Sequence, residues 1–231
     1  MPELDGAAIR HERLSGLVMT HEDSPMSRRT AGILVFPDVE ILDFCGPFEV
    51  FSAARLDEAR RREEPSPYEV VVVAESADVV VATGGLKVVP DHTPQGCPPL
   101  DVLVVPGGWG TRREMANEAL LAWLAERGRT VPTLTSVCTG SLLLGKAGLL
   151  DGKRATTHWR VLGEMRAWFP SVTVIDEEHV VEDGDLITSA GISAGIDMAL
   201  RVVARHHGEA VARATARHME YPYPEDNRRR V

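Results

Sequence analysis

Cysteine is scarce, with three residues in 231, at positions 45, 97 and 138, and no two of them in a CxxC spacing. That leaves neither a disulfide framework nor a cysteine-ligated metal site, and it suits a reducing cytoplasm. There is no excess of basic charge: 25 Lys and Arg stand against 34 Asp and Glu, a net −9, with no basic block inside the region that reads as folded. Nucleic acid is therefore not an expected partner. No apolar run approaches the roughly 18 residues that a membrane span requires. The Leu14–Met19 patch is also too short for a signal-peptide core. Internal repeats and a second domain are absent as well. What remains is the expectation of a soluble, cytoplasmic protein.

At 44% hydrophobic content, a chain of 231 residues can bury one sizeable α/β core. Residues 1–29 are polar and without period, which predicts a flexible extension, and Met26 is an alternative start. Residues 30–221 read as one domain and 222–231 as a C-terminal tail. Ala31–Phe36, Tyr68–Ala74 and Asp101–Val105 are continuous apolar runs of the buried-strand type. Hairpins are predicted over Val79–Val89, around Thr83-Gly-Gly85, and over Val180–Thr188, around Asp183-Gly184. Short strands are expected at Ala155–Thr157 and Val172–Ile175. Helical patterns open at Gly46-Pro47 and cover about 112–127, 159–169, 193–206 and 209–219. Strands alternating with helices predict a mostly parallel sheet covered on both faces, with ligands at the carboxyl edge of its strands.

The stretch Val131–Gly145 organises that edge. A β-prone run, Thr133–Val137, reaches Cys138 and passes at once into small residues and a Leu-rich helix. This strand, sharp turn and helix is the pattern of a nucleophile elbow. A thiol there meets free helix N–H groups that favour the thiolate, so Cys138 is a candidate nucleophile with a lowered pKa. A small buried hydrophobe is the plain alternative. Pro106-Gly-Gly108 ends a neighbouring strand, and Gly107 and Gly108 either let backbone N–H groups approach a ligand or merely form a tight turn. Asp43 would cap nothing if Pro47 opens its helix with Gly46 as the cap. A carboxylate in the apolar company of Leu42 and Phe44 has its pKa raised by burial, as a proton shuttle requires.

Five segments together carry a family resemblance: Val35-Phe-Pro-Asp38 with Leu42-Asp-Phe-Cys-Gly-Pro47, Pro106-Gly-Gly108, Ser136-Val-Cys-Thr-Gly-Ser141, Gly148–Trp159 and Gly191-Ile-Ser-Ala-Gly-Ile-Asp197. In that order, over about residues 31–221, they resemble the ThiJ/PfpI superfamily, within the class I glutamine amidotransferase-like proteins. Within it they are most similar to the isonitrile hydratases and to the sensor domains of AraC-type regulators. The resemblance implies a flavodoxin-like three-layer sandwich, a homodimer and a small-molecule substrate, without metal or other cofactor. It implies Cys138 as nucleophile, with Asp43 and Thr139 assisting hydration of an isocyanide to an N-substituted formamide. Protease and deglycase members resemble one another in placing a histidine after the cysteine and a glutamate in the Asp43 region, so Thr139 and Asp43 disfavour that chemistry.

Around this site, Gly107, Gly108, Trp109, Cys45 and His158 are the expected substrate-binding residues. Cys45 stands where a small residue such as threonine is expected, and Trp109 brings a large ring beside the glycines; His158 suits a structural hydrogen bond better than catalysis. His218-Met-Glu220 imitates a glutaminase His-x-Glu, but two residues spaced by two on a helix do not share a face. A non-catalytic sensor and a redox-active Cys138 oxidised to sulfinate are the competing readings. Regulators of the resembled kind carry a helix-turn-helix segment after the last helix, and only Pro222–Val231 follow it here, which favours the enzyme. Deleting residues 1–25 should leave the melting temperature essentially unchanged, since the segment offers no periodic apolar face. A calorimetric scan of the truncated protein checks this, and a loss of several degrees would place that segment against the domain.

Overall fold

A computed structural model describes residues 28–230, so the expected N-terminal extension lies almost wholly outside the described residues. In chain order the elements are β1 (Arg29–Leu34), α1 (Ile41–Ala53), β2 (Tyr68–Val73), β3 (Val80–Val81), β4 (Lys87–Val88) and β5 (Val102–Val105). There follow α2 (Thr111–Glu114), α3 (Glu118–Thr130), β6 (Thr133–Val137), α4 (Gly140–Lys146), β7 (Arg154–Ala155) and α5 (Leu162–Trp168). The chain closes with β8 (Thr173–Val174), β9 (Val180–Asp183), β10 (Leu186–Ser189), α6 (Ala194–His207) and α7 (Glu209–His218).

Six strands form the central sheet in the order β2-β1-β5-β6-β10-β9. All neighbours are parallel except β9, which pairs antiparallel with β10 through a hairpin. The apolar runs explain the centre: every residue of β5 and β6 is buried, as sheet strands covered on both faces must be. Helices α1, α6 and α7 pack together, and α3 packs on α4, which packs on β5 and β6. The layers are helix, sheet and helix, a flavodoxin-like sandwich. No helix among the described residues is long and apolar enough to cross a membrane.

Three sequence expectations are corrected. Helix α1 begins at Ile41, five residues before Gly46, so Pro47 lies inside the helix and Asp43 in its first turn. Pro47 has the helical φ but no N–H, so the carbonyl four residues back, that of Asp43, has no helical donor. The helix expected over 112–127 is two, because Asn117 adopts an extended conformation and its side chain accepts from Leu120 N, restarting the helix as α3. The pattern over 159–169 opens as a 3₁₀ turn at Trp159–Val161 before α5.

Residues 222–230 run back along the sheet. Arg228 forms an antiparallel bridge with Glu178, and Asn227 exchanges side-chain hydrogen bonds with the Val180 backbone at 2.8 and 3.0 Å. This covers the start of edge strand β9, whose backbone groups would otherwise be open to another chain. Arg229 donates from Nε to the Asp176 carbonyl at 2.6 Å and from Nη1 to the Thr157 carbonyl at 3.2 Å. Arg229→Ala removes the donor to the part-buried Thr157 carbonyl, a loss of about 1–3 kcal/mol. The melting temperature should therefore fall by several degrees for a domain of this size, measurable by circular dichroism.

Candidate active site

The elbow is built as its residue order suggests. Cys138 follows β6 with φ +56, a left-handed conformation that an L-residue adopts only when its surroundings hold it. Those surroundings are hydrogen bonds on both sides. Cys138 N donates to the Ser189 and Ala190 carbonyls, both at 3.2 Å, while its own carbonyl accepts from Thr157 Oγ1 at 3.0 Å and Ser141 Oγ at 3.2 Å. The turn also needs Gly140, because a Cβ there would stand 2.0 Å from the Val105 carbonyl oxygen.

Asp43 reaches the same point from α1. Its side chain is fully buried, and Oδ2 accepts from Gly107 N at 2.9 Å. Oδ1 has no hydrogen-bond partner of normal geometry. A Cβ on Gly107 would lie 3.0 Å from Asp43 Oδ2 and 2.5 Å from both Thr139 N and Thr139 Oγ1. Any side chain at 107 would thus push the carboxyl and the elbow apart. Thr139 Oγ1 accepts from Gly108 N at 3.0 Å and lies 3.2 Å from Thr111 Oγ1. The two glycine amides are therefore occupied by Asp43 and Thr139, neither aimed at a ligand nor merely part of a tight turn, the two roles the sequence offered.

Electrostatics reverse a second expectation. Burial pushes the Asp43 carboxyl from 3.8 up to about 8, with desolvation opposed by the Gly107 hydrogen bond and reinforced by the charge of Glu40. The Cys138 thiol is pushed far up instead of down, first by desolvation and then by the facing Asp43 carboxylate. Helix α4 has only seven residues, and its N-terminal field does not overcome that burial. Protonating Asp43 removes the repulsion between the two groups, so below about pH 8 the resting pair is a neutral acid beside a neutral thiol.

The sulfur opens on a cavity of about 350 Å³ lined by Gly108, Trp109, Cys138, Thr139 and His158 together with Glu40, Arg112, Trp159, Arg160, Val161 and Ile192. Cys45 and Gly107, both expected in the substrate contact set, are not in this lining. Cys45 sits part-buried on α1, packed against the core, and Gly107 works through its amide and its missing side chain. His158 lines the cavity, and its Nδ1 accepts from Arg160 N at 3.3 Å. The sequence reading missed Thr111, Glu40, Arg112 and Arg160. Trp159, which ends the Gly148–Trp159 segment, was the available signal for the far wall. Among the described residues no cluster of three His, Cys, Asp or Glu is placed to hold a metal ion.

With this geometry in place, a family model described as DJ-1/PfpI matches residues 29–205. The chain belongs to that family. Among DJ-1/PfpI proteins, the isonitrile hydratase of Pseudomonas putida is 38% identical over 191 residues, 82% of this chain and 77% of that one. The HTH-type transcriptional regulator CdhR of Pseudomonas aeruginosa is 32% identical over 179 residues, and the chain spans only 51% of its length. A ThiJ/PfpI family protein from Pseudomonas syringae superposes with a TM-score of 0.75 at 33% identity, covering 93% of this chain and 85% of that one. Drosophila melanogaster DJ-1beta shares the fold, with a TM-score of 0.71 at 21% identity, over 85% of this chain and all of that one.

The raised Asp43 pKa makes a stability prediction. In the unfolded chain the carboxyl ionises near 3.8 and in the folded one near 8, so between those values the folded state holds a proton that the unfolded state has released. Stability contributed by the neutral carboxyl is full below about pH 4 and declines until about pH 8, by at most about 1.4 kcal/mol per unit. Asp43→Asn should flatten that decline. Denaturant titrations of both proteins at pH 5 and pH 8 read the difference, and equal slopes would mean that the folded carboxyl is ionised throughout.

Proposed function

We propose that this protein is an isonitrile hydratase-like enzyme that adds water to an isocyanide, R–N≡C, to give the formamide R–NH–CHO. The observation that carries the reading is the fully buried Asp43 carboxyl beside an elbow cysteine, Cys138, that lines an aromatic-walled pocket. The similarity to the Pseudomonas putida enzyme supports the choice of reaction.

A neutral pair suits an acid-first route. Protonated Asp43 gives its proton to the isocyanide carbon while the Cys138 sulfur bonds to that carbon and the thiol proton passes to Asp43. The product is a thioimidate, R–N=CH–S, with Asp43 again protonated. Asp43 next protonates the imine nitrogen, and the resulting carboxylate takes a proton from the water that attacks the carbon. The C–S bond of the tetrahedral adduct then breaks, the hydroxyl proton returns through Asp43 to sulfur, and the formamide leaves. Atoms balance as one isocyanide plus one water. In this scheme Thr139, whose side-chain hydroxyl and N–H lie beside Cys138, steadies negative charge developing on sulfur. Assembly as a homodimer belongs to the same proposal, and light scattering behind size-exclusion chromatography measures it.

A sensing domain is the second reading, favoured by the likeness to CdhR across that regulator's matched half. Turnover separates the two. Formamide should appear with aryl or alkyl isocyanides and vanish in Cys138→Ala. Asp43→Asn should lower kcat by roughly 10²-fold or more while changing binding far less, the range for general acid–base catalysis. Because the acid form is the working form, kcat should fall as pH rises through about 8. A folded wild type that binds isocyanides and releases no formamide would decide for the sensor, and a full-activity Asn variant would remove Asp43 from the proton path.

A further inference from the structure

The walls of the pocket say more about its ligand than its reacting end does. Tryptophan is scarce, four residues in the chain, and two of the four line this one cavity. Trp109 is 70% exposed and Trp159 48% exposed. Large rings left open around a concave site are an apolar docking surface. Each ring also carries a cation. Arg112 lies 5.7 Å from the Trp109 ring centre and Arg160 4.9 Å from that of Trp159. Both arginines line the cavity too.

The two guanidinium groups differ in what they have left to offer. Arg112 is paired with Glu164 at 3.6 Å. Arg160 has no carboxylate within ion-pairing distance among the described residues. A guanidinium stacked by its face on a ring keeps its edge free, and that edge carries the paired N–H donors that match a carboxylate. Glu40, the one carboxylate in the lining, stands at the opening of α1, where its charge raises Asp43. Negative charge therefore belongs to the reacting end, and the far wall is positive in a protein of net charge −9. The lowered basicity of His158, to which burial and then Arg160 and Arg229 contribute, agrees with a positive field on that wall.

We infer that the pocket selects an aromatic monoanion, a ring lying between Trp109 and Trp159 with a carboxylate bonded to Arg160, and that Arg160 is the specificity-determining residue. The reacting group is taken from the proposal above, so the substrate class is an isocyano-substituted aromatic carboxylate such as 4-isocyanobenzoate. A cation of similar shape is disfavoured because Arg112 and Arg160 already place positive charge over one face of each ring. A volume of about 350 Å³ lies at the small end of ligand cavities, enough for one substituted ring.

Isothermal titration calorimetry with unreactive product-type ligands tests this without requiring turnover. The full chain is titrated at low salt with formanilide, 4-formamidobenzoate and 4-(trimethylammonio)formanilide. The carboxylate should bind roughly tenfold more tightly than the neutral ligand, and the cation more weakly than either. Arg160→Gln, on an exposed side chain that the fold does not need, should remove most of that preference while formanilide binding changes little. Arg160→Lys should restore part of it, and rising salt should erode it. Equal binding of neutral and anionic ligands, a preference that survives Arg160→Gln, or no binding of any of the three would overturn the inference. The hydratase reading falls separately: anion-selective binding with no formamide from any isocyanide rejects that reaction and keeps the site, whereas turnover without anion selectivity does the reverse.

Discussion

Burial of one carboxyl, Asp43, whose Oδ2 accepts from Gly107 N at 2.9 Å, is the constraint on which the carboxyl edge of this sheet depends, beside the backbone bond from Glu40 N to the Gly107 carbonyl at 2.9 Å. The carboxyl joins the first turn of α1 to the loop after β5, and the absence of a side chain on Gly107 lets Thr139 close on both. Three segments distant in sequence thereby meet around one sulfur. The buried carboxyl has one oxygen satisfied and one free, an arrangement that costs stability when ionised and is tolerable when protonated. Asp43 itself does not line the cavity, and its side chain meets the Cys138 thiol that does. Burial raises the acid into a useful range, and the hydrogen bond that ties the loop junction only partly offsets that rise.

Burial governs the elbow cysteine as well. An elbow at a helix start ordinarily suggests a thiolate, since backbone amides and the helix field stabilise the anion. Here the helix is seven residues long, Cys138 is 6% exposed and a carboxyl lies beside its thiol. Desolvation outweighs the amides, and the pair shares protons instead of holding separated charges. A carbon that accepts a proton before or with the nucleophile, as an isocyanide carbon does, fits such a neutral pair. Acyl transfer from a preformed thiolate fits it less well.

Outside the reacting atoms, the site is assembled from loops after β5 and β6, the entry to α1 and the segment following β7. That last segment is pinned from behind by Arg229, whose guanidinium bonds the carbonyl of Thr157 immediately before His158. Residues at the chain's end therefore help to set the wall that carries Trp159 and Arg160.

Residue order was enough to locate β6, the elbow at Cys138, the glycine pair and the buried character of Asp43, because each depends on local pattern: an apolar run, small residues at a tight turn, an acid among hydrophobes. It was enough also for the parallel sheet and the family resemblance, which rest on the order of short motifs. The start of α1 was misjudged because proline tolerates a helix interior when the rest of the helix packs well, and packing against α6 is not a local property. The thiol's direction of shift, the use of the glycine amides by Asp43 and Thr139, and the pairing of Arg112 and Arg160 with the two tryptophans were decided only by the tertiary structure. Desolvation and hydrogen-bond partnership depend on which distant side chains arrive at the same few ångströms, and no spacing along the chain contains that information.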